Sequence, residues 1–370
     1  MKNWSSLIGT LFLLLCACAS EYESVEKDKG TPTRGIWLTN VDSEVLFSEK
    51  GIKEAVDLCV EYGFNTIYTV VWNRGYTLYP SEIMEREFGI KIDPKLEGRD
   101  PLQKLIEYAH TKDIRVIAWF EFGFSSSYEE KDGGYLLRQK PEWAALDVDG
   151  KLVSKNGFQW MNAFDPEVRS FITSLLKEVV QNYEVDGIQG DDRLPALPST
   201  AGYDSLTIAI YEAEFGTLPP RNYRDSLWVD WRAKQLNLYA CELYQELKAL
   251  DDDLVISIAP SIYPWSKEEY LQDWVTWLRE GCVDEIIPQI YRYDIDKYKA
   301  ELEKIVNTQI SEADLPKLAA GILLKVGDYY ASTEFLQAMI YANRANGVQG
   351  EVFFFYEGLK KHPEFFEELY

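Results

Sequence analysis

The chain has 370 residues, 46% of them apolar, enough to bury the core of one large α/β domain or of two smaller ones. Its formal charge of −23, from 38 Lys+Arg against 61 Asp+Glu, repels phosphate backbones and argues against nucleic acid as a partner. Aromatic residues are abundant, with 11 Trp, 24 Tyr and 17 Phe; such flat amphipathic rings serve either a core or a cleft that stacks on sugars.

The first stretch in chain order reads as a leader. Lys2 is followed by the apolar run "LIGTLFLLLCACAS", too short to span a bilayer as a permanent helix. Its "LCAC" resembles a bacterial lipobox, with Leu15 three residues before Cys18 and Ala17 directly before it. That resemblance implies cleavage ahead of Cys18 and a lipid on its thiol; an ordinary cleaved signal peptide is the alternative. Residues 1–17 are therefore expected to be a lipoprotein signal peptide. Residues 18–33, acidic and carrying Gly30 and Pro32, read as a flexible tether.

From residue 34 to 370 no low-complexity linker intervenes, which predicts one domain. Strand-like runs occur at 34–41, 65–72, 115–123, 185–192, 254–262, 285–291, 317–326 and 350–358. Amphipathic helical patterns separate them. "DPEVRSFITSLLKEVVQNY", for example, opens on Asp165 as an N-cap with Pro166 at the first helical position. Eight strands alternating with helices predict a (β/α)8 TIM barrel, and the density of apolar residues suits a parallel sheet buried on both faces. A doubly wound open sheet is disfavoured because no Gly-rich phosphate loop follows the first strand. The three cysteines of the mature domain, Cys59, Cys241 and Cys282, are odd in number and widely spaced. They are expected to be buried free thiols, with no disulfide framework or thiolate metal site.

The barrel reading gives the acidic pair in "VDGIQGDDRL" a meaning. The C-terminal ends of barrel strands converge on one face, and here they carry Asn40, Trp72, Arg74, Glu121, Asp191, Asp192, Arg193, Tyr263, Gln289, Tyr291, Lys325 and Glu357. Two carboxyl groups and sugar-stacking rings are what cleavage of a glycosidic bond requires. Strand alternation lets only one of the adjacent pair face the axis squarely. Asp191 is assigned as nucleophile or base, and Asp192 to the rim as second acid or as acceptor for Arg193. Glu121, set among aromatics in "AWFEFGF", is a general-acid candidate because apolar surroundings raise a carboxyl pKa; pairing with Arg74 is its structural alternative. Asp186 and Glu351 fall at strand starts and read as structural. With only two histidines, His110 and His362, and no G-x-S-x-G elbow, zinc and serine-triad chemistry are disfavoured. Neither cofactor nor metal is expected.

The segments "RGIWLTN", "GFNTIYTVVWNRGYTLYPS", "MNAFDPEVRSFI", "YEVDGIQGDDRLP", "IPQIYRYD" and "GVQGEVFFFYEGL" resemble the glycosyl-hydrolase-like family 10 of bacterial lipoproteins. The resemblance spans about residues 34–360. It implies a TIM barrel, an envelope location and hydrolysis of O-glycosidic bonds, with peptidoglycan glycan strands as one substrate class. By motif, Asp191 and Asp192 match the family's acidic pair. Arg74, Tyr79, Pro80 and Ser81 match its loop after strand 2. Asn162 and Pro166 match the approach to the helix before strand 4, and Gln289 and Tyr291 match strand 6. One departure lies at strand 3: where many members carry a histidine and an asparagine, this chain has Ala118, Trp119, Phe120 and Glu121.

The sequence thus predicts a monomeric glycoside hydrolase anchored through lipid at Cys18 to a bacterial envelope membrane, on its periplasmic or surface face. Asp191, Glu121 and Asp192 are the catalytic candidates. Asn40, Trp72, Arg74, Tyr79, Trp119, Trp160, Asn162, Arg193, Tyr263, Gln289, Tyr291, Tyr356 and Glu357 are expected to hold the glycan. A non-catalytic carbohydrate-binding lipoprotein on the same barrel is the alternative, since strand 5 ends in "APSIYPW" without a carboxylate.

Overall fold

The structure, a computed structural model, describes residues 31–370; the expected signal peptide, Cys18 and nearly all of the tether lie outside them. Eight parallel strands form the central sheet: β1 Arg34–Leu38, β2 Thr66–Val70, β3 Arg115–Phe120, β4 Gly187–Gly190, β5 Val255–Ile258, β6 Glu285–Ile286, β7 Ala319–Leu323 and β8 Gly350–Phe354. Their order is β6-β5-β4-β3-β2-β1-β8-β7. Parallel bridges Ile286↔Leu318 and Gln289↔Gly321 join the two ends, so the sheet closes into the expected barrel. The strands are shorter than the apolar runs that announced them. In "EIIPQIY", Pro288 supplies no N–H, and pairing resumes only at Gln289.

The main helices of the outer ring are α1 Glu49–Glu61, α2 Pro101–His110, α3 Pro166–Asn182, α4 Ser226–Lys248, α5 Trp274–Arg279, α6 Ile295–Lys304, α7 Thr333–Ala345 and α8 Pro363–Leu369. Most start on a side-chain cap: Ser48, Asp100, Asp165, Asp225, Asp294 and Ser332 each accept a hydrogen bond from a backbone N–H of the first turn. None among the described residues is long and apolar enough to cross a membrane.

Alternation along the strands divides the chain between two cores. Ile36 and Leu38 are buried on β1, while Trp37 turns inward to meet Tyr68 of β2 at 5.9 Å, Trp119 of β3 at 6.4 Å and Phe354 of β8 at 6.1 Å between ring centroids. Below this aromatic layer Glu285 accepts hydrogen bonds from Tyr68 Oη (2.7 Å) and Thr33 Oγ1 (2.6 Å), which satisfies a buried carboxylate. Asp186 and Glu351 also serve the N-terminal end. Asp186 meets His110 Nε2 at 2.9 Å and accepts from Val116 N–H, and Glu351 takes both guanidinium nitrogens of Arg344 at 2.8 Å.

The cysteine expectation is corrected. Cys241 of α4 and Cys282 after α5 form a disulfide, with Cα atoms 4.8 Å apart; among the described residues only Cys59 is a buried free thiol. Sequence spacing hid the pair because the two cysteines, 41 residues apart in sequence, become neighbours only when α4 and α5 pack side by side.

Candidate active site

Two glycines shape the turn that carries the acids. A side chain at Gly190, the last residue of β4, would put its Cβ 2.2 Å from the Leu194 carbonyl oxygen. Gly123 has φ +49°, and a Cβ there would stand 2.1 Å from the Arg193 carbonyl oxygen. With those positions bare, the chain turns back: Leu194 N–H donates to the Asp191 carbonyl (3.1 Å) and Phe124 N–H to the Arg193 carbonyl (3.0 Å). The result folds Arg193 over its own neighbours.

Arg193 gathers three carboxylates. Its Nη2 donates to Asp191 Oδ2 at 2.9 Å and lies 3.8 Å from Glu121 Oε1, and its Nε donates to the Glu121 carbonyl at 2.8 Å. Nη1 stands 2.9 Å from Asp192 Oδ1, an ion pair off the hydrogen-bond axis. The guanidinium also stacks over Phe158, 4.6 Å from the ring centre. Asp191 is 2% exposed. Its Oδ1 accepts from Asp192 N–H (2.5 Å) and Gln289 Nε2 (2.8 Å). Burial, then the Asp192 charge, push Asp191 above the ordinary carboxylate range against the pull of Arg193. Every partner it has is a donor, so the site is built around its ionised form.

Glu121 is arranged differently. Its Oε2 accepts from Asn73 Nδ2 at 2.5 Å, while no hydrogen bond among the described residues reaches Oε1. Burial raises its pKa, with Arg193 and Asn73 opposing. The same acids hold Arg193 charged: their attraction outweighs the cost of its burial. Both carboxyl groups are pushed upward, and of the two only Glu121 has an oxygen, Oε1, that accepts no hydrogen bond among the described residues, its one charged neighbour being Arg193 Nη2 at 3.8 Å.

That cleft encloses about 190 Å³ at the C-terminal mouth of the barrel, lined by Trp37, Trp119, Glu121, Phe158, Asp191, Asp192, Arg193, Ala259, Gln289, Tyr291 and Phe354. Its floor is fixed by polar contacts: Trp37 Nε1 donates to Gln189 Oε1 (2.7 Å), and Gln189 Nε2 donates to Ser257 Oγ (3.0 Å). The Trp119 indole N–H is buried without a hydrogen-bond partner, a donor beside the empty volume.

Of the residues expected at the site, the structure thus brings together Asp191, Asp192, Glu121, Arg193, Trp119, Gln289 and Tyr291. Arg74 stands outside the cleft over the Tyr128 ring, at 5.7 Å. The others go elsewhere. Trp72 is fully buried, donates to the Gly123 carbonyl and packs on Phe171. Tyr79 donates to the Leu175 carbonyl of α3, and Trp160 packs against Tyr270. Asn162 accepts from Phe164 N–H in a turn. Glu357 accepts from Ser43 Oγ, tying the loops after β8 and β1, and Tyr356 is buried in the turn after β8. Asn40 lies past the end of β1, with its Oδ1 buried. Tyr263 lines a separate cavity of about 400 Å³, beside Arg224, Asp230 and Lys267. Lys325 sits over the Phe355 ring.

Trp37, Asn73, Phe158, Ala259 and Phe354 complete the site and were not foreseen. The inward parity of "RGIWL" marks Trp37. Phe158 arrives from a three-stranded sheet inside the loop after β3, made by Ser125–Tyr128, Ser154–Lys155 and Phe158–Trp160, which no strand-end rule reaches. Among the described residues the groupings able to ligate an ion, Cys241–Glu280–Cys282 and Asp251–Asp252–Asp253, include no cleft residue.

A family described as glycosyl hydrolase-like 10 matches residues 32–327. The chain belongs to that family. It is 24% identical to glycosyl hydrolase DigH of Escherichia coli K12, over 82% of this chain and 81% of that protein. It is also 24% identical to glycosyl hydrolase YngK of Bacillus subtilis strain 168, over 78% of this chain and 58% of that one. Among solved structures, the PgaB (BpsB) glycoside hydrolase domain of Bordetella bronchiseptica superposes with a TM-score of 0.68 at 14% identity, covering 90% of this chain and 97% of the domain. That last likeness concerns the fold.

Proposed function

We propose that this member of the glycosyl hydrolase-like 10 family cleaves O-glycosidic bonds, with Glu121 as general acid and Asp191 as nucleophile or base. The observation that carries the reading is the Arg193-centred trio: a buried carboxylate ringed by donors, and a second carboxyl group with one oxygen that accepts no hydrogen bond among the described residues. Paired glycosidase carboxyl groups stand roughly 5 to 9.5 Å apart. Arg193 Nη2, 2.9 Å from one and 3.8 Å from the other, keeps the two acids from standing farther apart than such pairs do. Glu121 gives its proton to the leaving oxygen as the C–O bond breaks, the Asp191 charge stabilises the positive character at the anomeric carbon, and a water molecule adds to that carbon, losing its proton to a carboxylate as the new reducing end forms. Trp37, Trp119, Tyr291 and Phe354 supply the apolar walls that exclude water.

The substrate is an envelope glycan, with peptidoglycan strands first among candidates, and the protein works from a lipid anchor at Cys18. The Cys241–Cys282 bridge supports an oxidising compartment outside the cytoplasm. Turnover of a glycan panel in 18O-labelled water tests the reaction class. Hydrolysis places one 18O on each new reducing end. Saturable binding with no new ends would instead establish a carbohydrate-binding protein.

A further inference from the structure

The cleft has no cation to spare. Arg193, its one positively charged lining residue, is committed to Asp191, Asp192 and the Glu121 carbonyl. A sugar carrying a carboxylate finds no counter-ion there. One stands just outside. Phe158, a wall of the cleft, meets the ring of Tyr128 at 5.0 Å, and Tyr128 is 37% exposed. Over Tyr128 stands the Arg74 guanidinium, exposed to solvent and making no ion pair among the described residues.

Arg74 is held in place by its backbone. It sits at the turn of a hairpin whose strands are Trp72–Asn73 and Tyr76–Thr77, with φ +52°, a left-handed conformation that costs a residue with a side chain. The hairpin is pinned to the neighbouring loop: a Cβ at Gly75 would meet the Ser126 carbonyl at 2.9 Å, and Tyr135 Oη donates to the Gly75 carbonyl. The last residue of its first strand and the first of its turn divide the work. Asn73 reaches inward to the acid, Glu121, and Arg74 faces outward, close enough for its charge to lower the Glu121 pKa. An acid that protonates the leaving oxygen must lie on the leaving-group side.

We infer that Arg74, Tyr128 and Phe158 form a subsite for the leaving-group sugar and select one that bears a carboxylate. The rings take the apolar face of the pyranose, and the guanidinium takes the carboxylate. This rests on the hydrolase reading above, which assigns Glu121 as the acid. The carboxylate could belong to a lactyl ether on an amino sugar or to a uronic acid.

The test uses the full chain carrying Asp191→Asn, so that binding is read without turnover. Its probes are two matched pairs: peptide-free GlcNAc–MurNAc oligosaccharides and oligoglucuronides, each beside its carboxyl-reduced form. The expected result is about a tenfold preference for the acidic member of one pair, as one charge-assisted contact supplies, shrinking in 1 M salt. Adding Arg74→Ala brings that ratio near one, and Arg74→Lys restores it in part. Equal affinity within both pairs, or a ratio that survives Arg74→Ala, overturns the subsite. If wild-type protein cleaves both members of a pair equally well, the subsite fails while the hydrolase reading stands. If it cleaves no glycan at all, the hydrolase reading fails, and the subsite, which takes its side of the cleft from Glu121, fails with it.

Discussion

Replacing Arg193 by methionine keeps its bulk near Phe158 and removes the charge that three carboxylates share. The Arg193 side chain is 12% exposed and that of Asp191 3%, so the loss falls on a site largely shielded from solvent. Breaking a buried ion pair from one side costs roughly 3–5 kcal/mol, because the remaining charge is left unpaired. Here the acids can relieve part of that by binding protons, which fixes the sign of the pH dependence. Asp191 and Glu121 already have folded-state pKa values above the ordinary range. A carboxylate raised in this way contributes stability below its unfolded pKa and loses it as pH rises through the folded value. Without Arg193 both rise further. Urea unfolding should therefore show Arg193→Met destabilised by about 3–5 kcal/mol near pH 8, with the difference shrinking steadily toward pH 5. A loss below about 1 kcal/mol, or one equal at both pH values, would refute the account of Arg193 as counter-ion to the trio.

Three other outcomes follow from the same contacts. Asn73→Ala removes a hydrogen bond that lowers the Glu121 pKa, so the alkaline limb of the kcat/KM profile should move to higher pH; a move to lower pH contradicts Glu121 as the acid. Reducing the Cys241–Cys282 bridge frees a loop of 41 residues, which should lower unfolding free energy by up to about 4 kcal/mol while leaving the glycan Kd unchanged; a change in Kd would mean the bridge shapes the cleft. Trp37→Phe deletes the indole N–H that Gln189 accepts and leaves a buried amide oxygen unsatisfied. It should cost about 1–3 kcal/mol in urea unfolding together with a loss of kcat/KM, and wild-type values for both would show that the floor of the cleft does not depend on this bond.

The fold was legible because a (β/α)8 barrel writes itself as a repeat: each buried strand is an apolar run and each helix an amphipathic one. The place of the acidic pair was legible for the same reason, since β4 ends where "GDD" stands. That Asp191 is the more buried of the adjacent pair followed from alternation alone. What sequence could not show is what the loops bring. Trp72, Tyr79 and Trp160 stand in the right segments, but their rings turn into the core between β2, α3 and the loop sheet. Phe158 lies 37 residues beyond Glu121 in sequence and reaches the cleft only because a small antiparallel sheet folds back over the barrel mouth. Arg193 looked like a partner for Asp192 only. Its hold on Asp191 and the Glu121 carbonyl depends on Gly123 and Gly190 letting the turn close. The disulfide was hidden by sequence distance in the same way.

The division of labour between Asp191 and Glu121 is the centre of the account, and reducing-end release by the two single variants tests it most directly. On a glycan that the wild-type protein cleaves, Asp191→Asn should lose at least about a thousandfold in kcat while still binding the glycan. Glu121→Gln should lose activity on a natural leaving sugar far more than on an activated aryl glycoside, whose departure needs little protonation. Folded variants that both keep wild-type turnover, or a Glu121→Gln defect equal on the two leaving groups, would contradict the assignment.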